Sequence, residues 1–275
     1  MPVSCGLMQF LPLTNADWQL FLKWAAVEGW TVPSQELRLF QGQWRHCIFV
    51  LHAEGKIRGF VSAVIYEESG WIGNLLVGSE HRGRGYGAAL FDFVLSLVSR
   101  AGLQRIWLTA SETGYPIYQR RGFVAVDRVD RWRARGQGLQ KLFRKVPVPE
   151  LIALDRRCWG ESRAPLLSAL ANGAEICRSG RSLALLQPSQ PAWQLGPWLS
   201  PHQDSQQNHV LLQEALAKTP AGTELLTDVL ASAGAETFLH DAGFNKLGSN
   251  LLMCLTSQSL TLQGVVALAS LGSLG

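Results

Sequence analysis

The chain has 275 residues, 47% of them hydrophobic and 17% charged; an ordinary soluble domain is about 25% charged, so a mainly disordered state is excluded. At about 100 to 200 residues per domain, two domains are expected. The charge is uneven, with 18 Lys/Arg against 11 Asp/Glu in residues 1–145 and 7 against 10 in residues 146–275. A basic first half attracts a polyanion such as a phosphorylated cofactor or nucleic acid, although solvated surface charge produces the same statistic. A membrane-spanning helix needs roughly 18 consecutive apolar residues, and the uncharged stretch 247–275 is interrupted throughout by Ser, Gln, Asn, Thr and Gly. The first residues, MPVSCGLMQFLPL, carry no Lys or Arg ahead of their apolar run, so a secretory leader is not expected and a cytoplasmic protein is. Cys5, Cys47, Cys158, Cys177 and Cys254 are never spaced as a metal clip or redox pair and read as reduced residues, with no metal expected.

In chain order, residues 7–13 predict a short strand and residues 17–28 a helix capped by Asp17 or Asn15. Residues 47–53 and 58–66 predict a hairpin turning at Glu54-Gly55-Lys56, and 71–77 a third strand. Residues 85–101 place apolar side chains at 90, 94, 97 and 101 with a second line at 91, 95 and 98, a broadly buried helix. A strand at 106–110, a short helix at 115–121 closed by Gly122, and strands at 124–133 and 139–145 around Gly136-Gln137-Gly138 complete the first half. Pro147 and Pro149 mark a linker, which divides the chain into domains 1–146 and 147–275. The second half predicts helices at 150–158, 163–171 and 209–218, strands at 182–187, 193–195, 224–230 and 250–255, and a short helix before the last strand. Strand, short helix and Gly-Phe occur at 106–123 and again at 225–244, an echo expected of a duplicated unit.

The most informative stretch is Val77-Gly78-Ser79-Glu80-His81-Arg82-Gly83-Arg84-Gly85-Tyr86-Gly87-Ala88. Alternate glycines ahead of a helix let successive N–H groups point outward at the positive end of its dipole, which makes a phosphate cradle. A P-loop is excluded because no Gly-Lys-Ser/Thr follows. Gly83-x-Gly85-x-x-Ala88 matches a dinucleotide fingerprint, with Glu112 as ribose acid, but Gly78–Arg82 is a polar spacer where that fold needs a strand end. A glycine turn with no ligand is the plain alternative.

Arg82-x-x-Gly85-x-Gly87 also resembles the acyl-CoA pyrophosphate loop of the GNAT N-acetyltransferase superfamily. Residues 108–123, with Tyr118 four residues before Gly122-Phe123, resemble a later segment of the same family. The second half resembles, more loosely, the degenerate C-terminal domain of a bacterial GNAT branch, through Leu154-Asp155, Trp159-Gly160-x-x-Arg163, Leu195-Gly196-Pro197, Asp241-Ala242-Gly243-Phe244 and Val266-Ala267-Leu268-Ala269-Ser270. The resemblance implies an α+β fold with a mixed, splayed sheet, followed by a second GNAT-like unit. It implies acetyl-CoA as co-substrate and direct transfer, through a ternary complex, to a primary amine of a small molecule or peptide, with neither nucleic acid nor membrane as partner. Backbone N–H groups of Leu76 and Val77 would face the thioester. Gly83, Arg84, Gly85, Tyr86 and Gly87 would hold pyrophosphate with Arg82 beside it, and Ser111 stands where relatives carry an Asn that holds pantetheine. Tyr118 would be the general acid.

The strand 71–77 contains no carboxylate, so the general base is not identified. Glu67, Glu68, Glu80 and His81 lie nearby but read as solvated loop residues. That gap favours a rival reading, a non-enzymatic acyl-CoA sensor, whereas Tyr118 favours the enzyme. Trp24, Trp30, Phe40 and Trp44 would line the acceptor side or simply fill the core, and the arginines at 131, 133 and 135 alternate as one solvated strand face.

Overall fold

A computed structural model describes residues 8–139, 145–256 and 262–275. The first half runs β1 (Gln9–Pro12), α1 (Asp17–Val27), α2 (Ser34–Gln41), β2 (Ile48–Ala53), β3 (Lys56–Ile65), β4 (Ser69–Val77), α3 (Tyr86–Arg100), β5 (Arg105–Ala110), α4 (Tyr115–Gln119) and β6 (Val124–Arg135). The second runs α5 (Val148–Trp159), α6 (Ala164–Ala171), β7 (Glu175–Ser179), β8 (Ser182–Gln187), β9 (Trp193–Leu199), α7 (Ser205–Lys218), β10 (Glu224–Leu230), α8 (Glu236–Asp241), β11 (Asn245–Thr256) and β12 (Val265–Ala267).

Local signals fix most of these. Glu54 and Gly55 both have positive φ, 54° and 69°, between the paired Ala53 and Lys56, as a two-residue hairpin of right-handed strands demands. Leu90, Phe91, Val94 and Val98 of α3 are all 0% exposed, on one helix face. Three details differ from the sequence expectation. The N-cap of α1 is Ala16, and Asp17 instead accepts bonds from the Thr14 N–H and hydroxyl, turning backward. Helix α2 and strands β7 and β12 have no counterpart among the expected elements, and β9 continues through Pro197 to Leu199. The strand expected over 139–145 lies mostly outside the described residues.

The twelve strands form one sheet in the order β1-β2-β3-β4-β5-β11-β6-β10-β12-β9-β8-β7. The halves exchange strands at its centre: β11 of the second half lies between β5 and β6, and β6 of the first lies between β11 and β10. Val129 and Asn250 stand opposite each other, and each follows its Gly-Phe pair by six residues. The two long strands therefore cross at the same distance beyond their Gly-Phe pairs.

Each half contains one parallel pair that opens into a V. Strands β4 and β5 pair only at Ser69–Trp71 with Arg105–Trp107. The rest of β4 carries an extra residue near Asn74, whose φ is +52°, and leans away. Strands β9 and β10 pair only at Trp193 and Gln194 with Leu225 and Leu226. There β12 enters the opening and pairs with both sides, Val265 with Leu199 and Ala267 with Trp198 and Val229. The second V is filled by the chain itself; the first is not bridged by any described strand.

Candidate active site

The glycine loop sits at the wide end of the first V. Gly83 and Gly85 have φ of +74° and +83° and are exposed, a conformation that other residues adopt at a cost. Gly85 caps α3, and the first helical bond runs from the Ala89 N–H to the Gly85 carbonyl. The N–H groups of Tyr86, Gly87 and Ala88 thus precede any intrahelical acceptor, at a helix start with no acidic residue in its first turn. The Tyr86 ring is buried beneath the Arg58 guanidinium, so only its backbone faces the loop. A Cβ on Gly87 would meet nothing nearer than Ile117 and Val77, at 3.5 and 3.6 Å. The fold itself does not require glycine there. Arg84 is exposed, whereas Arg82 is held by Glu28 at 2.5 Å and by the Val77 carbonyl at 3.3 Å.

The two expected backbone donors differ. The Gly78 N–H bonds to Arg58 on β3, and strand alternation turns the Leu76 N–H the same way and the Val77 N–H to the open edge. Leu76 itself is buried against β3, opposite Phe60. An exposed glycine cradle, unfilled N–H groups and a free strand edge together fit a thioester cofactor with a pyrophosphate.

A cleft of about 150 Å³ follows the V inward, lined by Gly73, Asn74 and Leu75 of β4 and by Thr109, Ser111 and Tyr118 on the other side. The Tyr118 ring packs on Phe91 with centroids 4.8 Å apart. Its hydroxyl has no hydrogen-bond partner among the described residues, and burial pushes its ionisation above the ordinary phenol range. The phenol therefore stays protonated across physiological pH and can donate a proton. Ser111 is tied locally: its Oγ accepts from the Gly114 N–H at 3.2 Å and its carbonyl from the Tyr115 N–H at 2.9 Å, which shapes the turn carrying Tyr118.

The far wall of the cleft comes from residues that spacing did not single out. Glu36 of α2 is 4% exposed and accepts from the Leu271 N–H at 3.1 Å and from the Ser273 hydroxyl. Burial raises its carboxyl above the ordinary value, against the opposing pull of those bonds. Arg131 of β6 grips Asp228 of β10 through two 2.7 Å bonds and donates to the Leu271 carbonyl at 2.9 Å. Arg131 is thus a cleft residue, which corrects its expected place on a solvated face; Arg133 and Arg135 are exposed and share Glu224. Among the four early aromatics Trp30 alone lines the cleft, and Phe40 and Trp44 are core. Glu67 and Glu80 are exposed. No local signal marks Glu36, because its partners come from a segment some 235 residues later.

Residues 12–123 match the sequence model of the Acetyltransferase (GNAT) family. The N-terminal half is thus similar to this acyltransferase family. Solved structures extend the likeness in fold to nearly the whole chain. A Pyrococcus horikoshii protein assigned as an acetyltransferase is 17% identical with a TM-score of 0.80, over 98% of this chain and 96% of its own. A GCN5-related N-acetyltransferase from Sphaerobacter thermophilus is 14% identical with a TM-score of 0.63, over 96% and 98%. One from Anabaena variabilis is 10% identical with a TM-score of 0.54, over 90% and 72%. No curated protein matches the sequence. Among the described residues no helix is long and apolar enough to cross a membrane, and no three His, Cys, Asp or Glu gather as a metal site.

Proposed function

We propose that this GNAT protein transfers an acetyl group from acetyl-CoA directly to the amine of a small molecule or peptide, with both substrates bound together. The observation that carries the reading is the open V of the first half, with unfilled N–H groups at its mouth and the unpartnered Tyr118 hydroxyl inside. Bound acetyl-CoA would supply the thioester. The N–H groups of Tyr86, Gly87 and Ala88 and the side chain of Arg84 hold negative charge at the loop. The Val77 N–H orients an acyl oxygen, and Tyr118 delivers a proton to the leaving sulfur. No described cysteine lines the cleft, and Cys47 and Cys158 are each pushed up to about 11 by burial, which supports direct transfer over a covalent acyl-enzyme. Residues 1–146 would carry the site, and residues 147–275 would close its acceptor end, in a protein of the cytoplasm.

Calorimetric titration with acetyl-CoA, followed by thiol release with a panel of amines, tests this. Binding and amine-dependent release are expected. Binding without release to any amine would favour the sensor, and absence of binding would overturn both readings.

A further inference from the structure

The cleft has two ends of different chemistry. One carries Ser111 and Tyr118; the other is built by Trp30, Val32, Glu36, Arg131 and the segment 271–273. At this second end the charges do not balance. Arg131 commits its Nε and Nη2 to Asp228 in a two-bond pair and to the Leu271 carbonyl. Glu36 accepts only neutral donors, the Leu271 N–H and the Ser273 hydroxyl, and makes no salt bridge among the described residues. The same residue, Leu271, thus bonds Glu36 through its N–H and Arg131 through its carbonyl, and the two charged groups form no direct salt bridge.

We propose that the acceptor is a primary ammonium with an apolar body and no carboxylate beside the nitrogen, and that Glu36 is its counter-ion in the cleft. This rests on the acetyltransferase reading for the fate of the amine, but not for its binding. A buried carboxylate whose direct partners are neutral donors only, and whose nearest guanidinium is paired with another carboxylate, is costly, and a ligand ammonium lowers that cost. A ligand carboxylate is disfavoured there, because two carboxylates, Glu36 and Asp228, already face the one guanidinium lining the cleft. Trp30, 39% exposed, and Val32 line the same end and offer an apolar wall and an indole face to the body of the amine. Once the cation is seated, loss of its proton to the carboxylate frees the nitrogen lone pair for attack; the N–H bond breaks as the O–H bond forms, and the net charge of the pair stays zero.

The groups facing Glu36 are Arg131 from β6, Asp228 from β10, Tyr66 beyond the end of β3, and Ser273; on its own helix Arg38 is turned to Ser34. Burial pushes the Tyr66 phenol up and raises the Glu36 carboxyl above its ordinary value, so amine binding that weakens on acidification, and does so in the wild type but not in Glu36→Gln, reports the Glu36 carboxyl.

The test is calorimetric titration of the full chain, with CoA present, by phenethylamine, 2-phenylethanol and phenylalanine. Phenethylamine is expected to bind at least tenfold more tightly than either analogue, and Glu36→Gln to weaken it at least tenfold while CoA affinity is unchanged. Wild-type affinity for phenethylamine should fall as acidification protonates the Glu36 carboxyl, a readout that stands even if Glu36→Gln does not fold. Equal binding of phenylalanine, a variant within threefold of wild type, a flat pH profile or no phenethylamine binding would each overturn the proposal. Thiol release is read separately with acetyl-CoA: amine binding without release overturns the transfer reading and leaves the Glu36 assignment standing.

Discussion

Gly87 and Tyr118 are the two positions where a single side chain separates ligand chemistry from packing. At Gly87 the protein leaves room for a Cβ at van der Waals distance, and alanine improves helix propensity by about 1 kcal/mol. Gly87→Ala should therefore melt no lower than wild type, yet bind acetyl-CoA at least about tenfold more weakly, equivalent to about 1.4 kcal/mol, because the methyl group occupies the approach to the helix N-terminus. Unchanged affinity in the calorimeter would remove this loop from the cofactor site. For Tyr118, loss of a hydroxyl with no protein partner costs the fold little, whereas loss of a proton donor slows chemistry. Tyr118→Phe should lower kcat by about 10²-fold or more with acetyl-CoA affinity preserved, and stopped-flow turnover at wild-type rate would leave the residue a packing role. Both side chains are readable in the sequence, because their spacing relative to a helix start and a Gly-Phe pair is local.

At the scale of elements, the decisive contacts lie between the last residues of the chain and the first V. The carbonyl of Gly272 accepts from Trp71 Nε1 at 3.1 Å and from Thr109 Oγ1 at 3.3 Å, one from each arm of the V. The Tyr66 hydroxyl donates to the Leu274 carbonyl at 2.5 Å. Gly73 permits this, since a Cβ there would meet the Ser273 carbonyl oxygen at 2.7 Å. Gly73→Ala should displace the segment, destabilise the protein by about 1–3 kcal/mol and raise KM for the amine more than for acetyl-CoA; a uniform effect on both constants would contradict this placement of the acceptor wall. The β6·β11 crossing carries its own signature. Burial would raise the Asp130 carboxyl, but bonds from Arg128 and, on β11, from Lys246 and Ser249 outweigh it, taking the group from 3.8 down to about 2. A depressed carboxyl stabilises fully above its unfolded value and loses that contribution as pH falls toward its folded value. The melting temperatures of wild type and Asp130→Asn should thus differ above about pH 4 and converge by pH 2; a constant difference would mean that Asp130 contributes no paired charge.

For the whole molecule, the exchange of β6 and β11 makes each half part of the other's sheet. A chain ending at residue 146 would leave β5 and β6 without the strand that joins them, exposing Ile106–Ala110 backbone and an apolar face. Such a fragment should be insoluble or aggregated in size-exclusion chromatography, and a soluble, active monomer would show that the exchange is dispensable. The filled V of the second half leads to one acetyl-CoA per chain. Its residue equivalent to Tyr118, four before Gly243, is Leu239, and β12 occupies the place where a cofactor would thread. Two equivalent sites in a titration would overturn that account.

Alternation, helical periodicity and glycine placement determined the order of the first-half elements, the helix start at Tyr86 and the equivalence of residues 106–123 and 225–244, because each depends on neighbours within a few residues or on a repeat visible along the chain. The prolines at 147 and 149 mark where a composition changes, but composition carries no information about which strand lies beside which. Only the tertiary structure decided that β11 and β6 are exchanged, that β12 fills the second V, and that Glu36, Arg131, Asp228 and Ser273 meet at one end of the cleft. These side chains come from α2, β6, β10 and the segment after β12, and no local pattern encodes their meeting; it follows from burying two sheet faces at once, which brings residues 36 and 273 together across most of the chain.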